Sequence, residues 1–123
     1  MSYHFYNPNP QNLLVGDCVI RALSKALNKD WTDIYSDLCV KGLEMADMPS
    51  SNRVWGALLM DHGYHRVELP GFITVKDFAR KNPKGIYLLG TGGHVITVMD
   101  GEYFDAWDSG DMVPYYYWRQ NVL

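Results

Sequence analysis

The chain has 123 residues, 47% hydrophobic and 20% charged, with a net charge of -3. That length suits one domain, 1–123, able to bury roughly two-thirds of the surface its unfolded chain exposes. Aromatics at 14% exclude a disordered chain, no apolar run reaches the ~18 residues of a membrane helix, and with no Lys/Arg cluster nucleic acid finds no electrostatic footprint.

The N-terminal residues lack the cationic start and apolar stretch of a signal peptide, and two cysteines do not make a disulfide scaffold. Both features are expected of a cytoplasmic protein. Residues 1–12 are polar and carry Pro8 and Pro10, so they read as extended or turned chain.

Helical periodicity begins after Asp17. Val19, Ile20, Leu23, Ala26 and Leu27 recur at three- and four-residue spacing, with Asp17 as N-cap and Asn28 as the stop. Asp30 opens a second helix with Trp31, Ile34, Tyr35 and Leu38 on one side and Gly42 near its end. Ser50 or Ser51 opens a third, carrying Val54, Trp55, Leu58 and Leu59 and stopped by Gly63. A short strand over Tyr64 to Leu69 follows, then a brief helix from Val75 to Arg80 capped by Thr74.

The rest reads as sheet. Gly85 to Gly90 is a buried strand and His94 to Met99 another. Asp100-Gly101 between β-prone runs is a strong hairpin signal, so the return strand starts at Glu102. Val113 to Trp118 adds a last strand, placed at an edge by Pro114. Helices first and an antiparallel sheet second make an α+β fold, with N-terminal helices packed on a C-terminal sheet.

Three residues have the makings of a chemical site. Cys18 starts the first helix, where unpaired N–H groups and the positive dipole end favour a thiolate and supply an oxyanion donor. Cysteine is also among the residues most often simply buried, and neighbouring Asp17 opposes ionisation, so a base must stand nearby. His94 follows Gly92-Gly93 and opens a strand. With Asp100-Gly101 as a two-residue turn, Met99 faces Glu102 and Ile96 faces Asp105, which puts Asp105 diagonal to His94 on one face. Asp105 is then the carboxylate that orients the imidazole, and a bulge near Phe104 would give that role to Asp108 instead. Nucleophile, base and orienter together are what acyl transfer needs.

Among other residues, Cys39 reads as a packed thiol, and Trp31, Trp55 and Trp107 as core. Trp107 would also shield a His94–Asp105 bond from water. His62 and His65 form half a zinc pattern without further ligands, so no metal and no cofactor are expected.

Gly16-Asp17-Cys18-Val19-Ile20-Arg21-Ala22 resembles the nucleophile motif of ovarian-tumour-type deubiquitinases, with Val15 standing where those enzymes carry Asp. The segment Phe104-Asp105-Ala106-Trp107 resembles the Asn-Ser-Trp segment of papain-like enzymes and the Asp-x-x-Trp segment of transglutaminase-like ones. Gly93 to Val98 resembles the Gly-His-hydrophobic strand of bacteriocin-processing cysteine peptidases. Over nearly its whole length the chain is similar to small papain-like proteins of bacteria and their phages.

The resemblance implies a papain-like cysteine peptidase, a thiol hydrolase acting on peptide or isopeptide bonds, with Cys18, His94 and Asp105 as catalytic triad. It also implies an oxyanion side chain before the nucleophile, with Gln11 the first choice and Asn9 the second. The expected partner is a peptide or protein substrate, with no nucleic acid and no membrane. Two other readings use the same fold: a non-catalytic binding module for a phage or host-interaction protein, and deamidase or transglutaminase-type acyl transfer.

Overall fold

The computed structural model describes residues 2–121. Within them the order is β1 (Tyr3–Phe5), α1 (Cys18–Leu27), α2 (Trp31–Met45), α3 (Asn52–Asp61), β2 (Tyr64–Glu68), α4 (Val75–Lys81), β3 (Ile86–Gly90), β4 (Val95–Met99), β5 (Glu102–Asp105) and β6 (Tyr116–Gln120). The fold is mixed α+β.

The six strands form one sheet in the order β1-β5-β4-β3-β6-β2. Its inner strands present apolar side chains on both faces, so helices must cover both. On one face, Leu88, Val95, Tyr116 and Trp118 meet Ala22 and Leu23 of α1, Ile34 and Leu38 of α2, and Val54, Trp55 and Leu59 of α3. On the other, Leu89, Ile96, Val98 and Tyr103 meet Val75, Phe78 and Ala79 of α4. Period-two alternation along β3 and β4 divides the two cores.

Local chemistry explains the element ends. Asn28 and Ala46 terminate α1 and α2 in the left-handed conformation, their N–H groups closing onto carbonyls of the last turn. Ser51 and Thr74 cap α3 and α4, accepting from the N–H groups of Arg53 and Asp77. Asp17 stands at the N-cap of α1 without capping it through its side chain. Asp100 and Gly101 take φ of 50° and 83°, as a type I′ hairpin turn requires, and Met99 pairs with Glu102 as the sequence predicts.

Two expectations need correction. The sheet is not wholly antiparallel, because residues 3–5 within the extended N-terminal segment add β1 parallel to β5, with Phe5 opposite Asp105. The last strand is not an edge: β6 lies between β3 and β2. Pro114 lies two residues before the strand, where no ladder N–H is needed, and β6 runs from Tyr116 to Gln120 instead of starting at Val113.

Close packing also fixes one glycine. A Cβ on Gly90 would collide with the ring of Tyr116 on the neighbouring strand. Tyr116 is held from its other sides by Trp55 and by the Arg66 guanidinium, which lies 3.9 Å from the ring centroid. It has little room to give way.

Candidate active site

The site forms where the first turn of α1 meets the end of the sheet carrying the start of β4 and the end of β5. Half-buried Cys18 lies beside the His94 ring and the backbone N–H of Val95, both of which draw its thiol pKa down. His94 Nε2 donates to Asp105 Oδ2 at 2.7 Å, which leaves Nδ1 for the side of the thiol. The structure thus brings together the three residues singled out from the sequence, in the order thiol, imidazole, carboxylate.

The hairpin register explains the last contact. Thr97 pairs with Phe104 and Val98 with Tyr103, so no bulge intervenes near Phe104. Asp105 and His94 therefore lie diagonally across adjacent strand ends. Asp108 is engaged elsewhere: its Oδ1 accepts from the Tyr103 hydroxyl and from the Gly110 N–H.

Asp105 is fully buried and each oxygen has two or more donors. Oδ2 accepts from His94 and, at 2.6 Å, from the Ser109 hydroxyl. Oδ1 accepts from the Ala106 N–H at 2.8 Å and from Arg21, whose Nε lies at 3.1 Å and Nη2 at 3.0 Å. Arg21 also reaches Asp17 Oδ1 through Nη1 at 2.7 Å, and Trp31 Nε1 donates to Asp17 Oδ2 at 2.8 Å. The Asp17 carboxylate is thereby drawn away from the helix N-terminus.

Arg21, Ser109 and this use of Asp17 are missing from the sequence-based reading. The i, i+4 spacing of Asp17 and Arg21 is a signal for their pair, but nothing local points either at Asp105, 84 residues away from Arg21.

These contacts set the electrostatics. Burial alone would push the Cys18 thiol up, but the hydrogen bonds from His94 and Val95, with the positive His94 and Arg21, bring it below its ordinary value. Burial would likewise depress His94; its bonds to Asp105 and Cys18 dominate and push it up to about 9. For Asp105, burial is outweighed by the bonds from His94 and Ser109, and the carboxyl is held below the usual carboxylate range. All three shifts favour the charged forms.

Access is open on the thiol side. A Cβ at Gly16, two residues before Cys18, or at Gly92 and Gly93, which lead into His94, would meet no atom within 4 Å. Gly92 has φ of 96°, which places the bend before His94 in a conformation that suits glycine. Trp107 lies over His94, with ring centroids 5.0 Å apart. It is 49% exposed and so covers the His94 side of the site instead of filling the core, unlike Trp55 at 1%. Trp31 is only partly buried because its indole reaches Asp17 at the rim of α2.

The two oxyanion candidates lie in different settings. Gln11 is exposed, and its backbone N–H donates to Asn9 Oδ1 at 2.9 Å. Asn9 is buried, and the same Oδ1 accepts from the Leu13 N–H at 3.2 Å. Its carbonyl is committed to the loop, leaving the amide N–H groups as donors. Cys39 is exposed and not packed as expected, because its place on α2 faces outward between Leu38 and Val40. His62 Nδ1 donates to the Leu58 carbonyl and His65 Nδ1 to Asn121 Oδ1, so the two rings serve separate contacts.

No family model, curated protein or solved structure matches the chain.

Proposed function

We propose that the protein is a papain-like thiol hydrolase that cleaves a peptide or isopeptide bond using Cys18, His94 and Asp105. The observation that carries this reading is the order of the groups: His94 donates to Asp105 through Nε2 and stands beside the Cys18 thiol, each raising or lowering the other's pKa toward the charged form. A buried carboxylate that fixes the tautomer and a base that is fixed in turn beside a thiol are the parts nucleophilic acyl transfer requires.

With the Cys18 proton already held by His94, the thiolate attacks the carbonyl carbon. The resulting oxyanion is met by the Cys18 backbone N–H at the start of α1, and by the amide of Asn9 in preference to exposed Gln11. His94 then protonates the leaving amine as the C–N bond breaks, giving a thioester. Water attacks the thioester, His94 takes its proton, and the acid departs as the C–S bond breaks, leaving the Cys18 thiolate beside protonated His94. Asp105 stays ionised throughout and holds the ring.

A panel of fluorogenic peptide amides and lysine-linked isopeptides tests the reading, with Cys18→Ala as control. Release that disappears in Cys18→Ala supports it. Amine release followed by a thioester that resolves onto an added amine and not onto water would replace hydrolysis with transglutaminase-type chemistry. Release unchanged in Cys18→Ala, or none across the panel, would contradict it.

A further inference from the structure

We infer that Arg21 is a positioning residue of this site: by bridging Asp17 to Asp105 it locks the helix bearing Cys18 against the strand end that holds His94, and it balances the charge beneath the thiol. This rests on the thiol-hydrolase reading of the same site.

The geometry goes beyond an ordinary buried ion pair. Arg21 is 5% exposed, and it uses its fork on both sides, Nη1 toward Asp17 and Nε with Nη2 toward Asp105 Oδ1. Asp17 immediately precedes the nucleophile, whereas Asp105 ends β5 and bonds the base. One guanidinium therefore spans the two elements whose relative position sets the Cys18–His94 contact. Lysine, a single point donor, cannot make both bridges in this geometry.

The charge inventory is equally specific. Asp17, Arg21, Asp105 and protonated His94 sum to zero, and a thiolate on Cys18 faces the nearer cations of that set, His94 and Arg21, together with the positive end of α1, worth about half a charge. Other polar groups around the cluster are few. Tyr3 of β1 donates its hydroxyl to the Asp105 carbonyl, Trp31 of α2 bonds Asp17, and Ser109 bonds Asp105. On the far side of Cys18 stands the neutral Tyr116 phenol of β6, with Arg66 and Glu68 of β2 beyond it. From α1, Arg21 is the cation that the thiol senses, and Asp17, the residue before the nucleophile, is its neighbouring anion in sequence.

Opposite charges give opposite signs, and that makes the inference testable. Removing the cation with Arg21→Met destabilises the thiolate, so the pH at half-maximal Cys18 alkylation rises by about one unit. Removing the anion with Asp17→Asn moves the midpoint down, although both variants lose a buried contact and melt lower. Arg21→Lys keeps a charge and covers the case in which Arg21→Met does not fold; its midpoint stays near wild type while its alkylation rate falls several-fold through lost positioning.

Iodoacetamide alkylation of Cys18, followed by mass spectrometry across pH 5–10 on the full chain, reads these shifts. Opposite shifts for Asp17→Asn and Arg21→Met, or, where Arg21→Met does not fold, a several-fold slower alkylation at an unmoved midpoint in Arg21→Lys, support the inference. Shifts of Asp17→Asn and Arg21→Met in the same direction, lower melting of Arg21→Met with an unchanged pH profile, or a wild-type alkylation rate in Arg21→Lys, reduce Arg21 to a packing role and overturn it. If wild-type Cys18 reacts no faster than Cys39, the thiol-hydrolase reading itself fails and takes this inference with it.

Discussion

His94 and Asp105 meet at 2.7 Å between Nε2 and Oδ2, eleven residues apart in the chain, because a two-residue turn at Asp100-Gly101 folds β4 onto β5 without a bulge. The side chains of the two residues extend past the sheet end, where Arg21 of α1 can reach the carboxylate. A change of one residue in the turn would move Asp105 to the other side of its strand and leave His94 without its partner.

Asp105→Asn tests this pairing. The amide is neutral, and whichever way it faces, one of its donors must point at His94, Ser109 or Arg21, all of which now donate to the carboxylate. His94 then loses the bond that chiefly raises it, and its titration midpoint falls from about 9 to 6.5 or below. Ring-proton NMR titration measures the change. A midpoint still near 9 would show that Asp105 does not set the state of the ring.

The pH dependence of stability follows from the same shifts. His94 is raised on folding, so its contribution is full below about pH 6.5 and is lost as pH rises to about 9. Asp105 is lowered, so its contribution is present above the ordinary carboxylate value of 3.8 and is lost as pH falls through its depressed value. Urea unfolding should therefore show a destabilisation by His94→Gln that is greatest below pH 6.5 and shrinks toward pH 9. Asp105→Asn should flatten the acid limb of the wild-type curve.

Gly90→Ala probes the packing that supports the site. Its Cβ would overlap Tyr116, which Trp55 and Arg66 hold in place, so overpacking should cost roughly 1–3 kcal/mol. Chemical denaturation measures it. Because Gly90 precedes the loop that delivers His94, Cys18 alkylation in this variant should slow as well. A variant as stable as wild type would mean that the Tyr116 ring moves aside.

The sequence made the local features readable and the long-range ones not. Helical spacing located α1, with Asn28 as its stop, and the Asp-Gly turn set the β4–β5 register on which the choice of Asp105 over Asp108 depends. Strand β1 escaped because it is three residues long, pairs in parallel with a segment a hundred residues away, and exposes His4 and Phe5. Strand β6 was misplaced because Pro114 was read as part of the strand and not as its preface. The Arg21 bridge was hidden for the same reason as β1: its two ends belong to parts of the chain that only tertiary packing brings together. Trp107 and Cys39 show the limit of residue type as a guide to burial, since one covers His94 half-exposed and the other faces outward on α2.

The central claim is that His94 activates Cys18, and the two thiols of the chain allow a measurement with an internal control. Iodoacetamide labelling near neutral pH, quantified separately at Cys18 and Cys39, should show Cys18 reacting the faster although Cys39 is the more exposed. In His94→Ala that difference should vanish, because burial would then push the Cys18 thiol up unopposed by its strongest partner. Equal, slow labelling of both thiols in the wild-type protein, or a fast Cys18 indifferent to His94→Ala, would contradict the account.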